Sequence, residues 1–260
     1  MASGTSLQKN TSDTSRVAVA LDHVRRTFPG GIEAVKDVSL QVPPGEFLAM
    51  LGPSGCGKST LLRMIAGLDH PTGGTIHRSQ SRVAYVFQDA HLLPWRTVLR
   101  NVSLPLELRG VTAAQRLTAA REAIEQVGLA DFAHRYPAEL SGGMRMRASL
   151  ARALVTDPDM LLLDEPFAAL DEITRTSLDV QLRNLWIQRR MTVIFVTHSI
   201  SEAAFLADRA IVLSARPAKI VLDVKIDLGL ERHNALRGEP EFARTSRLLL
   251  SALEGGGTPQ

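Results

Sequence analysis

Short apolar runs recur along the chain and predict a set of buried β-strands. These runs are Phe47–Leu51, Val83–Phe87, Met160–Leu163, Thr192–Val196, Ala210–Leu213 and Ile220–Leu222. Continuous apolar runs of this length are typical of strands that are covered on both faces, whereas a strand with one wet face alternates apolar and polar residues. The pattern therefore predicts a sheet in the interior of the molecule.

Segments with helical periodicity lie between these strands. The pattern predicts helices over about Lys58–Leu68, Glu172–Arg189 and Ser201–Ala207. The buried face of the first helix would consist of Leu61, Leu62, Ile65 and Leu68. Strands and helices in alternation favour a mainly parallel sheet with helices on both faces.

Two stretches depart from this alternation. The first, about Val17–Leu51, is rich in β-forming residues and turns, and predicts an N-terminal antiparallel β subdomain. The second, from Asp89 to Asp157, has a helical pattern and predicts a helical subdomain inserted between two core strands. Within it, Thr112 and Gln115 resemble a capping box, and Gly128 would end the same helix.

These segments divide the chain into predicted domains. Residues 17–88 and 158–228 form the core, residues 89–157 form the helical subdomain, and residues 229–260 form a C-terminal extension that is helical in places. Residues 1–16 are rich in Ser and Thr and contain no apolar stretch, which predicts a disordered tail rather than a signal peptide.

Composition and charge are those of an ordinary globular protein. Hydrophobic residues make up 45% and charged residues 22% of the 260 positions, and no apolar run approaches the roughly 18 residues that span a bilayer. The net charge of +3, without basic runs interleaved with aromatics, argues against a nucleic-acid partner. The single cysteine, Cys56, excludes an internal disulfide and fits a reducing compartment.

The segment after the strand Phe47–Leu51 carries the strongest chemical signal. It consists of Gly52, Pro53, Ser54, Gly55, Cys56, Gly57, Lys58, Ser59 and Thr60, which fits G-x-x-x-x-G-K-[ST]. The glycines let several backbone N–H groups converge on phosphate oxygens, and the next helix adds its positive end. Lys58 supplies a cation for the β- and γ-phosphates, and the Ser59 hydroxyl is the expected Mg²⁺ ligand. A turn that ends in Lys-Ser by chance is the alternative, but the strand–loop–helix context favours a nucleoside triphosphate site.

Cys56 in this loop permits two interpretations. It could be a redox-active thiol, or it could be a small residue that merely fits the turn. The second is favoured, because reactivity requires a lowered thiol pKa that the sequence does not indicate.

Polar residues at the ends of three other strands predict the rest of the site. Asp164 could hold Mg²⁺, while Glu165 points to the other side and could act as the base for an attacking water. His198 is expected to bond to the γ-phosphate or to Glu165, and Gln88 suits the sensing of metal or water. The alternative is structural: two acids in a turn after a strand, and a histidine that is satisfied by its neighbours.

Ser141, Gly142 and Gly143 precede the helix-forming run Met144–Leu154, which makes a second helix N-terminus open to an anion. Because the phosphate loop already provides one such site, the second makes sense if it serves the nucleotide of another molecule. Together with Gln88, Asp164, Glu165 and His198, these motifs stand in an order that closely resembles the ATP-binding subunits of ABC transporters, over about Val17–Leu228.

The resemblance implies roles for individual segments. Gly52–Thr60 corresponds to the Walker A loop, and Leu161–Glu165 to Walker B with Glu165 as catalytic base. Gln88 corresponds to the Q-loop glutamine, a catalytic residue and metal ligand, and His198 to the switch histidine. Ser141–Gly143 corresponds to the signature that contacts the γ-phosphate bound by a partner subunit.

The same resemblance implies two further nucleotide contacts, and the sequence departs from the family pattern at two positions. Asp171 corresponds to the D-loop, and Phe28 lies where the family places an aromatic ring on adenine, with an ordinary packed Phe as the alternative. Met146 replaces a common glutamine, and Ala168 stands where Ser or Gly is common. Neither departure touches the predicted chemistry.

The implied fold class is α/β: a P-loop NTPase core with a mainly parallel sheet, an N-terminal antiparallel β subdomain and an inserted α-helical subdomain. The implied cofactors are ATP and Mg²⁺. The implied assembly is a homodimer in which two ATP molecules lie between the Walker loop of one subunit and the signature of the other, so that hydrolysis releases the pair.

The segments Gln88–Trp95 and Leu213–Ile220 resemble those of importers for nitrate, aliphatic sulfonates and taurine. This likeness implies two transmembrane permease subunits, an external solute-binding protein, and a peripheral position on the cytoplasmic face of the cell membrane. Leu92, Leu93 and Trp95 could form the groove for a permease helix, or could be buried core. The solute stays open, a pyrimidine precursor included. One rival function is a non-transport ABC ATPase. Another is a P-loop kinase, but a kinase would not need Ser141–Gly143.

Overall fold

The computed structural model describes residues 17–79 and 82–255, so the predicted tail over residues 1–16 lies outside the described residues. Within these ranges the chain forms nine β-strands and seven α-helices. The strands are β1 Val19–Phe28, β2 Ile32–Val42, β3 Phe47–Leu51, β4 Gly73–Arg78, β5 Val83–Val86, β6 Met160–Asp164, β7 Thr192–Val196, β8 Arg209–Leu213 and β9 Ile220–Lys225. The helices are α1 Lys58–Ala66, α2 Val98–Leu108, α3 Ala113–Gln126, α4 Gly142–Leu154, α5 Glu172–Arg189, α6 Ile200–Leu206 and α7 Pro240–Gly255.

The apolar runs form the central sheet, as predicted. Its strand order is β5-β6-β7-β3-β8-β9, and the strands are parallel except for β9, which runs antiparallel to β8. The carboxyl ends of parallel strands meet at one edge, where ligands of such sheets bind. Asp164 at the end of β6 is the register partner of Val196 at the end of β7. The polar residues after β3, β6 and β7 therefore share that edge.

Alternate residues of each central strand enter different hydrophobic clusters. Phe47, Ala49 and Leu51 pack with α5 and α6 on one face, whereas Leu48 and Met50 pack with α1 on the other. All five are fully buried. This two-sided burial explains why the strands read as unbroken apolar runs, and it fixes the register that brings their polar ends together.

The N-terminal sheet is antiparallel, as predicted, with the order β2-β1-β4. The sequence analysis did not predict β4, because Gly73 and Gly74 follow Pro71 and resemble a turn. The strand forms because its backbone pairs with β1, with Ile76 opposite Leu21. The strands β1, β2 and β3 all lie within the predicted β-rich stretch Val17–Leu51.

The segment over residues 89–157 is helical, as predicted, and contains α2, α3 and α4. The predicted capping box is wrong: the Thr112 hydroxyl donates to the Gln115 side-chain oxygen at 2.7 Å and accepts no backbone N–H. Gly128 does end α3, because its left-handed φ of 65° places its N–H 2.9 Å from the Glu125 carbonyl.

Several predicted helix bounds also differ from the structure. The helix α1 ends at Ala66, where Gly67 adopts a φ of 78°, so Leu68 is 61% exposed and does not belong to the buried face. The signature helix begins earlier than Met144, because Gly142 and Gly143 form its first turn. Among the described helices, none is long and apolar enough to cross a membrane.

Candidate nucleotide site

The phosphate loop connects β3 to α1 and leaves the start of that helix open. Gly57 is the residue before α1, and no side chain caps the N–H groups of the first turn. Gly57 has a φ of 126°, and a Cβ there would lie 2.6 Å from the Ala34 carbonyl oxygen, so only glycine fits. Uncapped N–H groups at the positive end of a helix form an anion site.

Lys58 is buried and its ammonium group lies across the loop. The Nζ atom donates to the carbonyl oxygens of Gly52 at 2.8 Å and Pro53 at 3.0 Å. The same Nζ lies 3.4 Å from Oε1 of Glu165, which is mostly buried. A buried cation that is held by two carbonyls and one carboxylate is placed to bind phosphate oxygens.

Ser59 and Asp164 meet at the predicted metal position. The Ser59 hydroxyl donates to Oδ1 of Asp164 at 2.7 Å, and the Tyr85 hydroxyl donates to Oδ2 at 2.9 Å. Burial and the Asp164 carboxylate raise the pKa of the Tyr85 hydroxyl, which therefore stays a donor. Mg²⁺ is often bound by one or two protein oxygens with phosphate and water completing its shell, and this hydroxyl–carboxylate pair fits that donor set.

Glu165 and His198 lie next to each other. Glu165 is one of the two partners that were predicted for this histidine. Nδ1 of His198 lies 3.1 Å from Oε2 of Glu165, and a hydrogen bond here requires the proton on Nδ1. Glu165 has a left-handed φ of 45°, and its N–H donates to the Val196 carbonyl at 3.0 Å. This turn directs the Glu165 carboxylate away from the Asp164 oxygens and towards Lys58 and His198.

Gln88 and Phe28 are not joined to this cluster. Gln88 is exposed in the bend after β5, which ends at Val86 rather than Phe87 as predicted, and no hydrogen bond or ion pair links it to the other described residues of the site. The Phe28 ring is partly buried, and the guanidinium carbon of Arg26 lies 4.7 Å from its centroid. Their predicted roles at the metal and at adenine stay predictions.

Cys56 is buried under the phosphate loop, and burial raises its thiol pKa. A Cβ placed on Gly52 would lie only 2.8 Å from the Cys56 sulfur, so the thiol fills the space below the turn. A thiol with a raised pKa is a poor nucleophile. These observations favour the interpretation of Cys56 as a residue that fits the loop.

The signature residues lie at the start of α4. The Ser141 hydroxyl accepts from the Met144 N–H at 3.3 Å, while Gly143 packs so closely on α5 that a Cβ would lie 2.6 Å from the Thr174 methyl carbon. Asp171 begins α5 and accepts from the Thr174 N–H at 2.9 Å, which lowers the pKa of its carboxyl. In the part of the chain that the structure describes, no hydrogen bond or ion pair joins Ser141, Gly142, Gly143 or Asp171 to the phosphate loop of the same chain.

Two residues of the site were missed by the sequence analysis. Tyr85 reaches Asp164 only because β5 and β6 are neighbours, and no motif marks it. Arg216 donates to the Gly55 carbonyl at 2.7 Å from the connection between β8 and β9. Arg216 lies in the segment Leu213–Ile220, which resembles importer sequences, but no sequence pattern indicates that Arg216 contacts the phosphate loop.

An α/β sheet with a phosphate loop after β3, and with Asp164 and Glu165 after β6, defines a P-loop nucleoside triphosphatase. Comparison with known proteins gives the family. The ABC transporter family model matches residues 35–168. The aliphatic sulfonates import ATP-binding protein SsuB of a Mycobacterium species is 47% identical, covering 92% of this chain and 95% of that protein. The ABC transporter ATP-binding protein MJ0412 of Methanocaldococcus jannaschii is 43% identical, covering 93% of each chain.

A solved structure gives the same assignment. The ATP-binding cassette MJ0796, as a dimer in a post-hydrolysis state with ADP and Pi, has a TM-score of 0.72 and 33% identity, covering 80% of this chain and 98% of that one. The chain belongs to the ABC transporter family and is an ATPase of that family. The resemblance inferred from the motifs and the implied fold class are thereby confirmed.

Proposed function

We propose that this chain is the ATP-hydrolysing subunit of an importer for a small solute of the aliphatic sulfonate, nitrate or taurine type. The observation that carries the hydrolytic part is the Glu165 carboxylate, which lies between Lys58 at 3.4 Å and His198 at 3.1 Å. One carboxylate thus adjoins both a phosphate-binding cation and a group that can orient it. The importer part is supported by the similarity to proteins named for aliphatic sulfonate import.

In this proposal Glu165 is the general base. It takes a proton from water as the water oxygen bonds to the γ-phosphorus and the bond from that phosphorus to the bridging oxygen of ADP breaks. His198 holds the Glu165 carboxylate in position, and Lys58 neutralises charge on the phosphate oxygens. Ser59 and Asp164 would hold Mg²⁺, which supplies further positive charge at the phosphates when bound, with Gln88 as an additional ligand.

We also propose that the working unit is a homodimer. Ser141, Gly142 and Asp171 are exposed, Gly143 is buried against α5, and in the described residues none of the four forms a hydrogen bond or ion pair with the phosphate loop of its own chain. A phosphate loop in a second copy would supply what they lack. The similarity to dimeric cassettes supports this arrangement, in which each ATP lies between two subunits.

The proposed partners are two permease subunits, an external solute-binding protein, and the cytoplasmic face of the membrane in which the permeases lie. Trp95 is 71% exposed, and it borders a cavity of about 590 Å³ that is also lined by Leu117, Arg121, His134 and Tyr136. An exposed aromatic ring beside a groove fits a helix that docks from a permease. Leu92, in contrast, packs against the core.

An uptake experiment tests the proposal. Cells that lack this chain should fail to take up an aliphatic sulfonate, and the wild-type chain should restore uptake. The Glu165→Gln chain should not restore it, whereas Glu241→Gln, which changes an exposed side chain of α7, should do so. Uptake restored by Glu165→Gln would contradict the role of hydrolysis. Unimpaired sulfonate uptake without the chain would point to another solute, such as a pyrimidine precursor, or to a non-transport ATPase.

A further inference from the structure

The buried residue Glu202 links the backbone around His198 to α6. The Thr197 hydroxyl donates to the Glu202 carboxylate, and the Glu202 N–H donates to the Ser199 hydroxyl at 3.3 Å. The Ser199 N–H in turn donates to the Thr197 hydroxyl at 2.9 Å. Both neighbours of His198 are therefore bound to the first turn of α6, and the direction of the histidine depends on where that turn lies.

A second buried carboxylate lies beside Glu202. Asp179 of α5 is 1% exposed and Glu202 is 4% exposed, and each is held largely by arginines. Arg175 reaches Glu202 at 3.5 Å, and Arg237 reaches Asp179 at 2.5 Å. Burial raises the pKa of both carboxyls, that of Asp179 to about 7 with the Glu202 charge contributing. Two like charges in one interior region are stable only while both cations are present.

Arg237 comes from the C-terminal extension and also holds α6 directly. Its Nη1 atom donates to the Ser201 hydroxyl, and its guanidinium carbon lies 4.3 Å from the Phe205 ring centroid and 5.9 Å from that of Phe242 in α7. With Asp179, these contacts tie α5, α6 and α7 to one side chain.

We propose that Arg237 is a positioning residue that holds His198 towards Glu165 through α6. Without the guanidinium, Asp179 would lose its ion-pair partner beside Glu202, and Ser201 would lose its donor. The first turn of α6 would then shift, and His198 would shift with it. This inference rests on the proposed role of His198, and it gives the C-terminal extension a part in ATP turnover.

The central test is the Arg237→Gln variant of the full chain, measured for kcat and for ATP affinity. We expect kcat to fall about 10-fold while ATP affinity stays within about twofold, because a misplaced group weakens the transition state more than ground-state binding. Arg244→Gln is the matched control, since Arg244 is exposed and, among the described residues, its ion-pair partner is Glu241, three residues away in the same helix. Its kcat should equal that of the wild type.

Two double variants separate positioning from a general loss of structure. If Arg237 acts through His198, the Arg237→Gln change should cause no further loss in a His198→Ala background. If the loss of the Asp179 ion pair displaces α6, Asp179→Asn, which needs no cation as a partner, should restore part of the kcat lost in Arg237→Gln. A wild-type kcat for Arg237→Gln, or an equal fold-loss with and without His198, would overturn the proposal.

The remaining outcomes are also decisive. Should Arg237→Gln fail to fold, Ser201→Ala removes the α6 partner and leaves the Asp179 ion pair; a kcat reduced about threefold is expected, and an unchanged kcat would overturn the proposal. Full turnover by His198→Ala would instead refute the assignment of His198 under the proposed function. The two failures can be told apart, because the His198→Ala variant alone tests the proposed function and leaves Arg237 unchanged.

Discussion

Glu165 has a backbone conformation that few residues of its type adopt. Its φ of 45° lies in the left-handed region, which costs about 1–3 kcal/mol for a residue with a side chain. The conformation turns the chain immediately after Asp164, so that successive carboxylates serve different neighbours: Asp164 binds Ser59 and Tyr85, and Glu165 faces Lys58 and His198. The strained backbone at Glu165 thus lets the proposed metal ligand and the proposed base be adjacent residues.

The Glu165→Gln variant tests this division. The amide has nearly the same shape but cannot accept the proton of the water, so ATP hydrolysis should fall by roughly 10²- to 10⁴-fold. ATP affinity should change little, because Ser59, Lys58 and the loop N–H groups are untouched. Phosphate release and ATP titration measure the two effects, with Glu241→Gln as the control. Phosphate release at the wild-type rate would refute Glu165 as the base.

At the scale of residues, the sequence predicts those functional groups that follow apolar runs. The ends of β3, β6 and β7 converge at one sheet edge, so Ser59, Asp164 and His198 could be placed without coordinates. Tyr85 and Arg216 could not, since each contact depends on which segments become neighbours in space. No local pattern distinguishes Arg216 from any exposed arginine.

At the scale of elements, the helices α5 and α6 enclose charges that a helix pair usually leaves in water. Asp179, Glu202 and Arg183 are all less than 5% exposed. Arg183 donates to the Leu206 carbonyl at 2.7 Å and pairs with Asp208 at 2.9 Å. A buried ion pair seldom adds much net stability, yet loss of one partner is costly. These charged groups therefore determine how α6 packs on α5 and add little to the free energy of unfolding.

The raised pKa of Asp179 predicts a pH-dependent stability. Its folded pKa of about 7 lies above the unfolded value of about 3.9, so its contribution is fully present below about pH 4 and is lost as pH rises through 7. Between pH 5 and pH 8, the free energy of unfolding of the wild type should fall relative to Asp179→Asn by about 2 kcal/mol. Urea unfolding at several pH values measures this difference, and parallel curves for the two proteins would contradict it.

The sequence predicts the bounds of elements whose burial imposes a hydrophobic pattern. It does not predict strands that form only because they pair with another strand. Strands β3 and β7 and helix α5 have the predicted bounds, because their apolar spacing leaves one solution. Strand β4 is mostly exposed and forms only against β1. At the start of α3, the Thr112 hydroxyl donates to the Gln115 side chain and accepts no backbone N–H, a side-chain geometry that the sequence pattern alone does not specify.

At the scale of the whole molecule, the two helix N-termini that are proposed to bind phosphate do not form one site within a single chain. The N-terminus of α1 lies at the sheet edge with Lys58, while that of α4 packs beside α5 through Gly143 and Thr174. No hydrogen bond or ion pair connects them in the described chain. A homodimer in which each copy completes the other's site uses both ends, and symmetry makes the two sites equivalent.

Variants at the two helix ends test the shared site. Ser141→Arg should abolish turnover while its own phosphate loop still binds ATP, because the added side chain blocks the partner's nucleotide. Lys58→Ala should weaken ATP binding itself. A mixture of the two proteins should form hybrid dimers with at most one intact site each, which ATPase assays of the mixture and of each protein alone can detect. Wild-type hydrolysis by Ser141→Arg alone would contradict the model.

The helix α5 spans 18 residues, which is about 27 Å of axial length. Asp171 caps its first turn by accepting from the Thr174 N–H, and Arg183, near the other end, donates to the Leu230 carbonyl in the segment after the sheet. A stiff rod of this length converts a tilt of about 5° into a sweep of about 2 Å at the far end. If a second copy docks against Asp171, as proposed, the stiffness of α5 would carry that displacement to the opposite end of the helix.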